Sequence, residues 1–310
     1  MRLVVALGGN ALAKRGELIS AENQRRNIRV AAAALADIAR DHELVVTHGN
    51  GPQVGLLALQ NKAYTGVPAY PLDVLGAQTQ GMIGYLIELE LRNTLGPIKQ
   101  LTSLLTLVEV DADDPAFLNP EKFVGPTYSQ EEADELIAQF GWQFRADGMT
   151  QRRVVPSPKP VHVVQLEAIR DLVQDNHVVI ACGGGGVPVV KDADGHYQGA
   201  EVVIDKDGSS GLMAAEVGAD LFVIATDAAA VMLDWGTEDE RAINKVTPEQ
   251  LKSFSFAAGS MGPKVSAACD FVTRTGKPAA IGRLEDLAGM VAGTHGTIVV
   301  PELPGGMTIR

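Results

Sequence analysis

Cysteine is nearly absent. The 310 residues hold two, Cys182 and Cys269, both in apolar surroundings. Two cannot staple a disulfide scaffold, so a reducing compartment, the cytoplasm, is expected. Basic charge is also scarce: 26 Lys and Arg stand against 38 Asp and Glu, a net charge of −12. That balance argues against nucleic acid or an anionic membrane as partner. No apolar run approaches the ~20 residues that cross a bilayer. The opening "MRLVVALGG" reads as a first strand and not as a signal peptide. Several catalytic signatures are missing too. No G-x-x-x-x-G-K-[S/T] occurs, which excludes a P-loop. No C-x-x-C, H-E-x-x-H or G-x-S-x-G occurs, so zinc and acyl-enzyme chemistry lack support.

What remains is an alternation of short β-branched runs with helix-period segments. Strands are expected over 3–7, 43–47, 101–110, 177–182, 201–204, 221–225, 279–282 and 297–300. They are continuously apolar, as strands covered on both faces should be. Between them, Ser20 is placed to cap a helix over 21–40, and Ile28, Ala32, Leu35 and Ala39 keep one face of it. Ile83, Leu86, Ile87 and Leu91 make a second stripe, closed by Gly96 and Pro97, and Leu166, Ile169 and Val173 a third. "TPEQ" at 247–250 has the form of a capping box with Pro at the first helical position. Strands alternating with helices predict parallel βαβ units. One region breaks the rhythm: 111–160 carries Pro115, Pro120, Pro126, Pro156, Pro158 and Pro160, with Lys122, Arg152 and Arg153. It reads as a small subdomain leaving the main sheet.

Three expected strands end in bare glycine turns: Gly8-Gly9-Asn10, Gly49-Asn50-Gly51 and Gly183–Gly186. In an open α/β sheet, ligands sit beyond the carboxyl ends of the strands. Glycine there lets the backbone approach a ligand and leaves N–H groups to meet it. One such turn is an ordinary strand-to-helix connection; three at equivalent ends, one of them four glycines long, point to a ligand. The dinucleotide fingerprint is not met. Gly49, Gly51 and Gly55 are spaced one residue too far, and Asp73, at the distance of a ribose-binding acid, has no strand to sit on.

The charge to hold an anion is local. Asp205 and Lys206 follow an apolar run directly, and Lys264 falls at the second position of a helix expected to open at Pro263. An Asp-Lys pair at a strand end is commonly a surface ion pair. A lysine in a first helical turn opposes the helix dipole, a local cost that a bound anion would offset. Thr226 and Asp227 close another strand, and the apolar residues beyond them form either a base pocket or core. His48, with no nucleophile or second His beside it, reads as a structural hydrogen-bonder. Together these features point to phosphoryl transfer, which needs reactants held in line and positive charge over the moving group. In that arrangement Asp205 is expected to orient Lys206 and Lys264.

The motifs "VVALGGNAL", "THGNGPQVG", "TQGMIGY", "DPAFLNPEKFVGP", "RRVVPSPKP", "GGGGVPVV", "EVVIDKD" and "GSMGPK" resemble carbamate kinase, of the amino-acid kinase superfamily, in order along nearly the whole chain. The resemblance implies an α/β fold, a three-layer αβα sandwich around a mainly parallel eight-stranded sheet. Residues 1–195 would form an N-terminal lobe for carbamate or carbamoyl phosphate, with a protruding lid at about 111–160. Residues 196–310 would form a C-terminal lobe for ADP or ATP, with Mg²⁺ carried on the nucleotide and no dedicated protein metal site. The chain would be a homodimer acting in nitrogen catabolism.

The resemblance also implies roles. Lys122, lowered by the lid, with Lys206, Lys264 and Asp205, would be catalytic. Gly8, Gly9, Asn10, Gly49, Asn50, Gly51, Arg153, Gly184 and Gly185 would bind substrate and phosphate. Thr226, Asp227, Val231, Trp235, Met261 and Gly262 would bind nucleotide. Phe123 stands where the family commonly has Pro, Gly262 where Leu is frequent, and "ADGMT" shortens a usual lid loop. The alternatives are another amino-acid kinase acting on a carboxylate, or a nucleotide-binding homologue without turnover.

Overall fold

In the strand Arg2–Leu7, every residue from Leu3 to Leu7 is fully buried. The two-residue period of a strand divides them. Val4 and Ala6 join one apolar cluster with Val45, Phe222 and Ile224, while Leu3, Val5 and Leu7 join another with Leu44, Val46 and Val223. Each face of the sheet therefore has its own core. Helices Ala21–Ala39 and Leu72–Leu95 cover the second face through Ile28, Leu35, Ile83 and Leu91. Helices Leu166–Gln174, Lys206–Glu216 and Met261–Thr275 cover the first through Ile169, Met213, Ala268 and Phe271. The result is the expected three-layer sandwich. The computed structural model describes all residues except Arg15, Ala258 and the side chain of Asn10.

Across the sheet the strands run Arg241–Val246, Thr297–Val299, Ala279–Arg283, Leu221–Thr226, Arg2–Leu7, Glu43–His48, Val178–Ile180 and Leu101–Ser103. These are eight strands, parallel except between Ala279–Arg283 and Thr297–Val299. Two-residue pieces at Met232–Leu233 and Thr308–Ile309 pair with Arg241–Val246 and bring the sheet to ten. Register places Leu7 beside both His48 and Ala225, so three carboxyl ends fall level.

Local signals at helix starts hold. Ser20 accepts from the Asn23 amide, and Thr247 and Gln250 form a reciprocal capping box. Three expectations are corrected. The run 101–110 is two strands: Leu101–Ser103 edges the main sheet, and Leu107–Val110 enters a second sheet with Val187–Lys191, Tyr197–Gly199 and Pro160–Val163. At the break Gln80 binds Thr106 twice, its Nε2 donating to the Thr106 carbonyl at 3.1 Å and its Oε1 accepting from the Thr106 amide at 2.8 Å. That is a long-range contact, invisible to composition. Residues 201–204 form no strand. The segment has no ladder partner, and the Val203 amide bonds to the Pro156 carbonyl at 3.1 Å. The helix expected to open at Pro263 opens at Met261, two residues earlier, so Lys264 is its fourth residue and not its second.

The proline-rich region does leave the sheet. Strands Lys122–Tyr128, Thr150–Val155 and Gln143–Asp147 make a small antiparallel sheet with helix Gln130–Phe140. "ADGMT" becomes a two-residue hairpin turn, Gly148-Met149. Val124 and Val155 of this subdomain pack against Val54, Leu72 and Leu75 of the main body.

Candidate active site

The turns after the level strand ends meet. The Gly8 amide bonds to the Ala225 carbonyl at 2.9 Å, and the Gly49 amide to the Leu7 carbonyl at 3.2 Å. These two N–H groups belong to the sheet and are not offered to a ligand. Gly51 opens helix Gly51–Ala63, so the amides of that first turn have no acceptor within the helix. A Cβ on Gly49 would lie 3.5 Å from both the Gly9 nitrogen and Lys206 Cδ. Gly184 and Gly185 have φ of 68° and 99°. A Cβ on Gly184 would lie 2.1 Å from the Asn50 amide, and one on Gly185 2.4 Å from the Ile204 carbonyl. The four-glycine run thus wedges between the Asn50 turn and the segment leading to Lys206. Asn50 itself donates to Thr79 at 2.8 Å. The Asn10 side chain lies outside the described atoms.

Lys206 is the first residue of helix Lys206–Glu216, capped by Asp205, which accepts from the Asp207 amide at 3.0 Å. A buried Thr47–Ser210 bond of 2.6 Å seats this helix on the strand that ends in the Gly49 turn. Gly211 lets helix Met261–Thr275 approach: a Cβ there would lie 3.3 Å from the Ala267 carbonyl. The two first turns then share one carboxylate. Asp207 accepts from Lys206 through one oxygen and from Lys264 through the other, at 3.1 Å. Burial pushes the Asp207 carboxyl up, but the two ammonium groups outweigh it and hold it below the usual carboxylate range. The acid that organises the lysines is therefore Asp207, not Asp205. The signal was present, since Asp flanks Lys206 on both sides, but spacing alone does not say which side chain turns inward.

Asp205 instead meets the proline-rich subdomain. Lys122 Nζ donates to its free oxygen at 2.7 Å. Four residues earlier, Glu201 accepts Arg153 at 2.8 Å and the Leu72 amide at 2.7 Å. Arg153 also stacks over Trp142 at 3.9 Å. Its Nη2 and its face thus fasten the subdomain to the body through Glu201 and Trp142, while Nε is buried with no partner among the described residues. Glu201 was not singled out in the sequence, because it lies in what reads as a strand.

Thr226 ends its strand and donates to Asp227 at 3.0 Å. Val231 is buried in the core, its amide bonded to Thr297 and its carbonyl to the Ile243 amide. Trp235 stands 71% exposed on a surface turn. Met261 and Gly262 open the Lys264 helix, and the Gly262 amide bonds to the Ala257 carbonyl at 2.9 Å. His48 is buried and bonds through Nδ1 to the Gly49 carbonyl at 2.9 Å; burial lowers its pKa to about 4, keeping it neutral. Cys182, behind the glycine run, is buried and its thiol is pushed up by desolvation.

The sequence profile of the amino acid kinase family matches residues 1–283. The chain belongs to that family. Among its relatives, a carbamate kinase of Rhizobium meliloti is 55% identical over 96% of this chain and 93% of its own length. One from Haemophilus influenzae is 50% identical over 98% of both. The solved structure of a carbamate kinase from Giardia lamblia bound to AMP-PNP superposes with a TM-score of 0.91, at 37% identity over 96% of this chain and 98% of that one. In this chain two helix N-termini and three turns converge at the strand ends, where open α/β sheets commonly bind ligands.

Proposed function

We infer that the chain is a carbamate kinase, moving a phosphoryl group between ATP and carbamate, or back from carbamoyl phosphate to ADP. The observation that carries this reading is the Lys206–Asp207–Lys264 bridge beside the glycine turns, taken with relatives of that name at 50–55% identity over nearly the whole chain. A carbamate oxygen attacks the γ-phosphorus and the ADP oxygen leaves on the opposite side. The residues form no covalent bond to the group. They hold the reactants in line and neutralise charge as it spreads over the three equatorial oxygens. Lys206 and Lys264 do this from two sides, fixed by Asp207. Lys122, released from Asp205 as substrate arrives, supplies a third ammonium and closes the lid, which keeps water from a labile acyl phosphate. The turns at Gly8–Asn10 and Gly49–Gly51 serve the transferring phosphoryl and the carbamate. Residues up to about 195 hold carbamate, and the lobe from about 196 holds nucleotide, through the region of Thr226 and Met261.

Mg²⁺ fits this site only as an ion carried by the nucleotide. The one carboxylate between the lysines is already shared by both ammonium groups, and Mg²⁺ is commonly held by phosphates and few protein ligands. When bound it neutralises phosphate charge. We place the enzyme in the cytoplasm, in nitrogen catabolism, as a homodimer. ATP formation from ADP and carbamoyl phosphate tests the activity. No ATP, with phosphorylation of another carboxylate or with nucleotide binding alone, would sink it; nothing observed favours either alternative.

A further inference from the structure

Thr79 opens the "TQGMIGY" stretch, on helix Leu72–Leu95, and is fully buried although polar. Its hydroxyl donates to the Gly76 carbonyl at 2.7 Å. A hydroxyl has one proton, so only lone pairs remain for a second partner. That partner is Asn50, whose Nδ2 donates to Thr79 Oγ1 at 2.8 Å. The network therefore decides which way the Asn50 amide is turned: nitrogen towards the helix, oxygen away from it. Gly184 closes one face of the amide, since a Cβ there would come within 2.1 Å of Nδ2, 2.3 Å of Cγ and 2.7 Å of Oδ1. Asn50 is only half-buried, and its Oδ1 has no hydrogen-bond partner among the described residues. Around this turn the first-turn amides of helix Gly51–Ala63 and the Lys206 ammonium are donors, suited to substrate oxygens. The carboxylates of Asp205 and Asp207 are taken by lysines. Asn50 Oδ1 is an acceptor beside those donors, suited to an N–H.

We propose that Thr79 is a positioning residue that fixes Asn50 Oδ1 as the acceptor for the substrate's amino group, and so selects carbamoyl phosphate over acyl phosphates that carry no N–H. The proposal rests on the carbamate kinase reading above. Carbamoyl phosphate and acetyl phosphate are close in shape and differ in an amino group against a methyl group. A fixed amide oxygen gains a hydrogen bond from the first and is left desolvated and unpaired by the second. Without the Thr79 hydroxyl the amide loses its fixed sense. Its own N–H groups then turn to the substrate as readily as its oxygen, and an N–H facing an amino group gains nothing.

The test measures ATP formation from ADP with carbamoyl phosphate and with acetyl phosphate. In each case the phosphoryl group passes from the acyl oxygen to a terminal oxygen of ADP, and carbamate or acetate leaves. The readout is the ratio of the two kcat/KM values in wild type, Thr79→Val and Thr79→Ser. Thr79→Val keeps the shape and loses the oxygen; it should lower the ratio ~10-fold or more. Thr79→Ser keeps the hydroxyl and should hold the ratio near its wild-type value. A merely structural Thr79 would slow both donors alike, so an unchanged ratio in Thr79→Val overturns the proposal. A ratio lost equally in Thr79→Ser overturns it too. Circular dichroism checks the fold of each variant. If Thr79→Val does not fold, Asn50→Ala removes the acceptor itself, and a wild-type ratio there is equally fatal. Wild-type protein that makes no ATP from carbamoyl phosphate sinks the carbamate kinase reading and this proposal with it, a result distinct from an unchanged ratio in an active enzyme.

Discussion

Lys264 Nζ donates to Asp207 Oδ2 at 3.1 Å, tying the first turn of one helix to the first turn of another. Neither ammonium can swing away without leaving the other oxygen's lysine unbalanced. Asp207→Asn leaves two ammonium groups facing one neutral amide. We expect kcat to fall ~10²-fold or more, with a stability loss of about 3–5 kcal/mol for a broken buried pair. Initial rates and urea unfolding read the two effects. Unchanged kcat would remove Asp207 from the site.

Lys206→Ala and Lys264→Ala test the transition-state role directly. Each contact strengthens as charge spreads over the transferring group, so kcat should drop ~10²–10³-fold while nucleotide affinity changes far less. Calorimetric titration with ADP alongside steady-state rates separates the two. Equal losses in both would mean simple ground-state binding.

Lys122 bridges the proline-rich subdomain and the body at 2.7 Å from Asp205. Its carboxylate partner is partly solvated, so the pair adds little to stability. Lys122→Ala should therefore unfold within about 1 kcal/mol of wild type, yet lose ~10²-fold in kcat/KM for carbamoyl phosphate. A variant as active as wild type would show that the lid's lysine stays clear of the reaction.

Gly185 has φ of 99°, and a Cβ there would come within 2.4 Å of the Ile204 carbonyl. That oxygen belongs to backbone leading into the Lys206 helix and has little freedom to retreat. Gly185→Ala should cost at least ~2 kcal/mol and lower kcat as Lys206 shifts. A thermal midpoint matching wild type would contradict this packing.

His48 stays neutral because it is buried, with its pKa lowered to about 4 against the ordinary 6.5. Between those values the unfolded chain binds a proton that the folded chain does not, so stability rises with pH there and is lost as pH falls. From pH 7 down to 5 this one group should contribute a loss on the order of 1–2 kcal/mol. Its imidazole NMR signals should not titrate above about pH 5. A midpoint near 6.5 would refute the assignment.

Much of the architecture is legible in residue order. Fully apolar strands such as Leu3–Leu7 demand cover on both faces, Ser20 and Thr247 mark helix starts with their own hydroxyls, and the proline density of 111–160 marks a departure from the sheet. Each signal is local: a period, a cap, a missing N–H. The lysines and glycine turns were also visible, since glycines four in a row and a lysine in a first helical turn both carry a local cost.

By itself the chain determined most of the buried strands and the capped helices, that the strand ends are bare, and which few cations stand near them. Only the tertiary structure decided the partners. Asp207 and not Asp205 joins Lys206 and Lys264, Lys122 and Arg153 are held by Asp205 and Glu201, and Gln80 bonds Thr106 where one apolar run divides into strands of two sheets. The reason is physical: backbone conformation answers to neighbours three or four residues away, whereas an ion pair between Lys264 and Asp207 depends on how two helices pack, 57 residues apart.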